Sequence, residues 1–524
     1  MAESTREPSR WKSSWWRPLV GIDVRSLAAL RIGLASILIY DLITRLADLE
    51  AHYADSGLLP RADLLNWKHE AYNVSIHMMS GIWWVQGLIF VGAIVAALFM
   101  LVGRHTKIAT FVSWFLLASL HARNPLILHG GDQLLRVMLF WSLFVPLGRA
   151  VSVDALLERG AAPHKGLVTS FGTLALKLQL CGMYWFSAGL KWHPAWVEDG
   201  TAVLMAMKLD QLVTPFGRSL TQWPELLEIA TFGTMWLETL GPALAFSPVL
   251  TAPLQLFAVL LFVGFHLVGL APALYLGTFP WVCAACWLIF IPAVFWDRWS
   301  QGLPGRRFCS AWGRNLARFW MRLSGATERP TTDFVGADPG RLRRVRDTVP
   351  QVFVALLIVY VGLWNLRTLD FDKYVKIFPR SANVVGDFLQ LGQYWNLFAP
   401  FPATEDGWFV FAATTIDGEV FELRSGAEVS FDKPANVSES LGPKRWKKYM
   451  MNLGESQNGI HRRLYGNYLC RDWNRRHSAA RRLASVRMFM VRERTLHDGS
   501  EEAPMRGVLW NQVCVLEDLK PGDP

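Results

Sequence analysis

Nine apolar stretches, each long enough to cross a hydrocarbon core of about 30 Å, run along the first two thirds of this 524-residue chain. They fall at roughly 28–47, 83–103, 107–123, 134–149, 167–188, 226–246, 250–270, 275–296 and 348–367. A backbone in lipid must satisfy its own hydrogen bonds, so the pattern predicts an all-α polytopic membrane domain of about nine transmembrane helices. A soluble globular enzyme is excluded. The mean hydropathy of +0.21 and a charged fraction of only 18% agree. Many of the 25 Trp and 31 Phe sit at the ends of the runs, where amphipathic rings favour the headgroup layer.

Charge and composition divide the chain further. Residues 1–27 form a basic, Trp-rich segment, and no small-residue cleavage site follows the first run, so a retained signal anchor is expected. Spans one to eight occupy 28–296, an Arg-rich loop follows at 297–347, the ninth span is 348–367, and 370–524 reads as a small α+β domain. Short-loop cations set orientation. Arg104 with Lys107, then Arg149, Arg159 and Lys165, and then eleven Arg against five acids in 297–347 all fall on one side. That makes the chain a multi-pass cell-membrane protein, in the inner membrane if bacterial, with a cytoplasmic amino terminus and an extracytoplasmic carboxyl domain. Within the Arg-rich loop Trp312, Leu316, Phe319, Trp320 and Leu323 share one helical face opposite Arg314, Arg318 and Arg322, the pattern of a helix lying on the cytoplasmic leaflet. No internal repeat is visible, which counts against a transporter built from inverted repeats.

In the outer domain, two β-rich runs joined by Asp417-Gly418 between Gly407 and Leu423 predict a hairpin, with helical pieces near 444–484. From 441 to 495 there are fourteen Lys/Arg against three acids, more net positive charge than the +10 of the whole chain. Nucleic acid fits that charge, but not the predicted side of the membrane. An acidic secreted peptide or an anionic lipid headgroup fits better, and a solvated basic face stands beside them. Of six cysteines only Cys470 and Cys514 read as a plausible pair; Cys283 and Cys286 have redox spacing but no polar neighbours, which favours helix packing.

Ionisable groups inside apolar spans are costly, so they are the candidates for function. Asp41 and Arg45, four residues apart, suit an internal ion pair. Asp132 follows Gly130-Gly131 and reads equally as a ligand contact or a helix cap. Lys191 and His193 end the fifth span among aromatics, where a desolvated lysine serves as a base and a snorkelling one does not. Glu238 and His266 lie within spans six and seven. The expectation is one cavity in the outer half, lined by Lys191, Asp132, Glu238 and His266. Metal-ligand spacing, a nucleophile elbow and a phosphate loop are all absent.

Several of these segments together resemble the HTTM family, the membrane domain shared with vitamin K-dependent gamma-glutamyl carboxylase. They are Leu27-Ala-Ala-Leu-Arg-Ile-Gly33 through Asp41, Arg45, Tyr53, Asp55 and Gly57-Leu-Leu-Pro-Arg61; Gly130-Gly-Asp-Gln-Leu-Leu-Arg136 with Phe144-Val-Pro-Leu-Gly148; Lys191, Trp196 and Gly200-Thr-Ala202; and Phe265-His266 with Gly277-Thr-Phe-Pro280. The resemblance extends to the outer domain through Tyr394-Trp395, Arg445-Trp446-Lys447 and Trp473-Asn474-Arg475. It implies a nine-span enzyme in which a lysine, here Lys191, takes a proton from reduced vitamin K or another quinol, and the strong base formed on oxygenation removes a glutamate γ-proton before carbon dioxide adds. Where the carboxylase has two adjacent lysines this chain has Lys191-Trp192, and Asp132 stands where it has a histidine. Asp132, His266 and Glu238 join Lys191 as implied catalytic residues; Lys208, His193 and Arg136 are implied for substrate binding. A non-enzymatic scaffold or maturation partner, holding a secreted peptide or anionic lipid on the basic outer domain, stands as the alternative, and a transporter using the same polar cavity is a weaker third reading. On the orientation above, a single cysteine near residue 420 should react with an impermeant thiol probe from the outer face only; labelling from the cytoplasm alone contradicts it.

Overall fold

A computed structural model describes residues 15–67, 75–159, 166–302, 341–443, 445–496 and 499–514. All nine apolar runs contain helix, but nine spans are not supported. Among the described residues four helices are long and apolar enough to cross a membrane, Val24–Leu46 (α1), Trp83–Val102 (α2), Thr251–Ala273 and Thr348–Leu369, and the bent pair Phe279–Phe290 plus Ala293–Trp299 makes a fifth if it is one span. The other helices fall short for physical reasons. Thr106–Arg123 (α3) carries Lys107, His121 and Arg123, Gly130–Ser142 (α4) has only 13 residues, and Phe171–Leu190 (α5) and Pro224–Leu244 (α6) carry Lys177 with Gln179 and three glutamates respectively. The expected leaflet helix around Trp312 lies outside the described residues.

Thr251–Gly264 (α7) passes without a break into a π-helical turn, Phe265–Leu270, and then Phe279–Trp287 (α8) folds back against α1 and α4. Two glycines make that return possible. A Cβ at Gly131 would sit 2.7 Å from the Phe279 nitrogen, and Gly277, at φ +61°, would place one 2.5 Å from His129 Nε2. Small residues at such crossings let backbones approach, as membrane packing requires. Cys283 and Cys286 are both fully buried in α8, consistent with packing.

The final long helix, Arg341–Leu369 (α9), leads into the carboxyl domain, expected from the sequence to be the outer one. There Glu405–Thr415 (β1) turns at Asp417-Gly418 into Val420–Glu422 (β2), as the hairpin signal predicts. Two helices follow, Arg445–Gly454 (α10) and Gly459–Arg476 (α11), and then strands Leu483–Arg494 (β3) and Met505–Val513 (β4). The sheet is antiparallel in the order β2-β1-β3-β4, with Trp408 opposite Val491 and Phe411 opposite Met488. β1 is buried on both faces: Phe411 packs on Tyr465 of α11, while Trp408 and Val410 join Val437 and Val491 on the other side. A Cys470–Cys514 disulfide ties α11 to the residue after β4.

The outer domain is joined to the membrane helices by buried charge. Arg445 on α10 reaches Asp132 on α4, with its guanidinium nitrogens 2.5 and 2.7 Å from the two carboxylate oxygens, and also contacts Asp41 on α1. Arg45 completes the square, 2.7 Å from Asp41 and 2.7 Å from Asp132, and donates to the Tyr53 hydroxyl at 2.7 Å. Two carboxylates and two guanidiniums alternate, and all four side chains are buried. Removing one member of such a set leaves an uncompensated charge in low dielectric. Arg445→Leu is therefore expected to destabilise the protein by about 3–5 kcal/mol and to release the outer domain to protease, read by thermal unfolding and limited proteolysis in detergent; unchanged stability and protection would count against the cluster as the link between domains.

Candidate functional site

A cavity of about 1440 Å³ lies between the membrane helices and the outer domain. Its membrane side is formed by α1, α4, α5, α6 and the π turn, its outer side by the segment from Tyr394 to Asp406 and by α10. Glu238, His266 and Arg136 line it; Lys191 and Asp132 do not. Of the four residues expected to share one cavity, Glu238 and His266 do so, and Lys191 and Asp132 stand behind its wall.

Lys191 ends α5 and points at α6. Its Nζ lies 2.6 and 2.8 Å from the two carboxylate oxygens of Glu238 and 4.9 Å from the centre of the Trp196 ring, and its side chain is 3% exposed. Snorkelling is thereby excluded. Of the three tryptophans expected to desolvate it, only Trp196 is buried; Trp192 is 75% exposed and Trp185 37%. Glu238 is the member of this pair that reaches the cavity.

His266 occupies the π turn that interrupts α7, a local widening found often at functional positions. Its Nε2 lies 2.6 Å from the Tyr184 hydroxyl, and that oxygen accepts a hydrogen bond from the Trp287 indole at 3.0 Å. The indole N–H can only donate, so the tyrosine oxygen accepts from Trp287 and shares one further proton with Nε2, in either direction according to the His266 tautomer. The other ring nitrogen, Nδ1, has no hydrogen-bond partner among the described residues. A buried ring nitrogen left open beside a cavity calls for a polar group on a ligand.

Asp132 proves to be a cap and more. It accepts from the His129 backbone N–H at 2.8 Å in a reciprocal capping arrangement and also anchors Arg45 and Arg445, so its place is in the ion cluster beneath the cavity. Arg136 is held by the carbonyls of Gln390 and Gly392 at 2.9 and 3.0 Å, where it orders the loop that leads into the cavity wall. Lys208 instead meets Glu501 at 3.4 Å, and His193 caps the Pro194–Val197 turn and packs on Phe401, so neither reaches the cavity. The basic stretch 441–495 turns inward in part: Arg445 joins the buried cluster and Arg471 donates to the Ser56 and Gly57 carbonyls, while Arg475 pairs with Glu50 at 3.1 Å on the exposed surface.

Sequence reasoning passed over Tyr184, whose role appears only once α5 and the π turn are adjacent, and over Lys447 and Lys448, which α10 presents to the cavity. It also missed the interdomain cluster around Asp406. That carboxyl accepts from the Gln211 N–H at 3.1 Å and is surrounded by Asp210, Lys433 and Glu493; Lys433 lies 2.6 Å from Asp210 and also contacts Glu493. Burial, followed by the Asp210 and Glu493 charges, raises Asp406 to about 7 against the pull of Gln211 and Lys433.

These features are those of a helical membrane protein with a cavity between its apolar helices and its carboxyl domain. Residues 20–296, more than half of the chain, match the HTTM domain family, and the protein belongs to that family. No curated protein and no solved structure matches the chain.

The Asp406 cluster has a pH consequence. An unfolded aspartate titrates near 3.9, so between about 4 and 7 a folded Asp406 holds a proton that the unfolded chain releases, and its own contribution to stability falls as pH rises through that window. The unfolding temperature of wild type relative to Asp406→Asn should therefore fall as pH rises from about 4 to 7 and level off above it. A difference between the two that stays constant with pH would place the titration elsewhere.

Proposed function

We propose that this HTTM protein is a quinol-dependent, carboxylase-type membrane enzyme acting on glutamate in a secreted peptide or protein. The observation that carries the reading is the Lys191–Glu238 ion pair, buried at the wall of a cavity that also presents the open Nδ1 of His266. A quinol fits this donor set: the apolar wall of Ile37, Leu270 and Phe279 suits its ring and side chain, and His266 and Glu238 suit its hydroxyls. When bound, the reduced quinone, once deprotonated and oxygenated by dioxygen as co-reactant, would supply the basicity that no unassisted side chain has for a glutamate γ-proton.

The chain's own residues hold and move the proton. Lys191 donates to both oxygens of Glu238, so in this geometry it is the positioning cation and Glu238, facing the cavity, is the proton acceptor. The lysine-as-base assignment implied by the carboxylase resemblance is revised accordingly. His266, fixed by Tyr184 and Trp287, orients a hydroxyl beside Glu238. For orientation, we read the domain that follows Leu369 as extracytoplasmic, because the Cys470–Cys514 bond suits an oxidising compartment. The scaffold alternative loses Arg445 and Arg471 to internal contacts and keeps the exposed Arg475, Arg476 and Arg481.

The test is purified protein in lipid with reduced vitamin K, labelled bicarbonate and Glu-rich peptides, read by mass spectrometry. Glu238→Gln should lower label incorporation by about 10²- to 10⁴-fold, the range for loss of a general base, while Lys191→Arg, which keeps the ion pair, should retain most of it. If Lys191→Arg is as inactive as Glu238→Gln in a folded variant, the lysine itself is the base. If no peptide or quinol gives incorporation or quinol oxidation, the scaffold reading replaces this one.

A further inference from the structure

The cavity has a second polar end, away from His266 and Glu238. On α10, Lys447 and Lys448 both line it. Lys447 sits 3.7 Å over the Tyr275 ring and donates to the Ser438 hydroxyl, which leaves donor capacity on its ammonium. Lys448 has no hydrogen bond or ion pair among the described residues, and no described carboxylate lies within 4.0 Å of either Nζ. Burial lowers both lysines, Lys447 to about 8, with Glu439 and Glu455 too distant to offset it. Two partly desolvated cations on one cavity wall, with no described carboxylate in contact, suit an anion.

The way in is lateral. Tyr40 on α1 and Trp281 on α8 both line the cavity, yet they are 59% and 54% exposed, so the cavity opens between two neighbouring apolar helices. Such a mouth faces lipid at the interfacial depth that Tyr and Trp favour. From it, apolar wall formed by Ile37, Leu270 and Phe279 leads toward the lysines, with Met451 beside them.

We propose that Lys447 and Lys448 bind the anionic headgroup, phosphate or carboxylate, of a membrane amphiphile whose chain occupies the mouth between Tyr40 and Trp281. Glu405, Asp406 and Glu455 share the outer wall, which suits one headgroup anion at the lysine pair and disfavours a polyanionic peptide there. The site uses none of the residues assigned to proton transfer; its chain would lie on the same Ile37, Leu270 and Phe279 wall as the quinol, and lysine-dependent lipid retention, read without quinol, separates the two readings.

Native mass spectrometry of the full chain released from nanodiscs of equal parts phosphatidylglycerol and phosphatidylcholine tests it, with oleate, inorganic phosphate and a Glu-rich peptide as separate additions. The expected result is one retained phosphatidylglycerol, displaced by oleate, with retention lowered roughly tenfold or more in Lys447→Ala/Lys448→Ala and kept in Lys447→Arg/Lys448→Arg. An unfolding temperature equal to wild type certifies that the alanine variant is folded; should it not fold, competition of oleate against phosphatidylglycerol on wild type decides instead. Equal retention of phosphatidylcholine, or retention indifferent to both lysines, overturns the proposal. So does lysine-dependent binding of inorganic phosphate or of the peptide in the absence of lipid, which would make the occupant a soluble anion.

Discussion

The alternating square of Asp41, Arg45, Asp132 and Arg445 is the contact on which the arrangement depends. Each member comes from a different part of the chain or a different turn: α1 supplies the first two, α4 the third, α10 the last. Its charges sum to zero and its hydrogen bonds run in a closed ring, which is the condition under which buried charge is tolerated. Because Arg445 belongs to the outer domain, the square also fixes how that domain caps the membrane helices. The cavity exists only because of that placement, since its walls come from both.

Around the square the chain sorts its polar residues by depth and partner. The Lys191–Glu238 pair satisfies itself and leaves one carboxylate edge on the cavity, while the His266–Tyr184–Trp287 relay leaves one open nitrogen. The outer wall is different in character, with lysines facing the cavity and the Asp406 cluster closing the seam against Gln211 and Asp210. A cavity with an apolar throat and two unlike polar ends can orient an amphiphilic guest, because reversing the guest would expose one end to the wrong chemistry.

Much of this was legible in the sequence, for reasons that are themselves physical. Charges within apolar runs are costly, so Asp41, Arg45, Asp132, Glu238 and His266 announce themselves, and an Asp-Gly between two β-rich runs announces a hairpin. The same reading overcounted spans, because apolar length does not distinguish a helix that meets lipid from one enclosed by its neighbours. α4 shows the difference: ten of its thirteen residues are buried, and its hydrophobicity serves the protein interior. Partners distant in sequence were not legible. Nothing in the run around Arg445 says that its counter-charges lie in α1 and α4, and so a basic stretch that looked like a surface for an acidic partner turns out to be used in part to hold the molecule together.

The most direct measurement of this account is a double-mutant cycle between Asp132→Asn and Arg445→Gln, read by unfolding of the full chain in lipid or detergent. If the square couples the two domains, the effects of the single substitutions will be non-additive by about 0.5–3 kcal/mol, the range for residues in one ion-pair network. Additive effects would mean that Arg445 and Asp132 do not sense one another, and the outer domain would then have to be held over the cavity by something else.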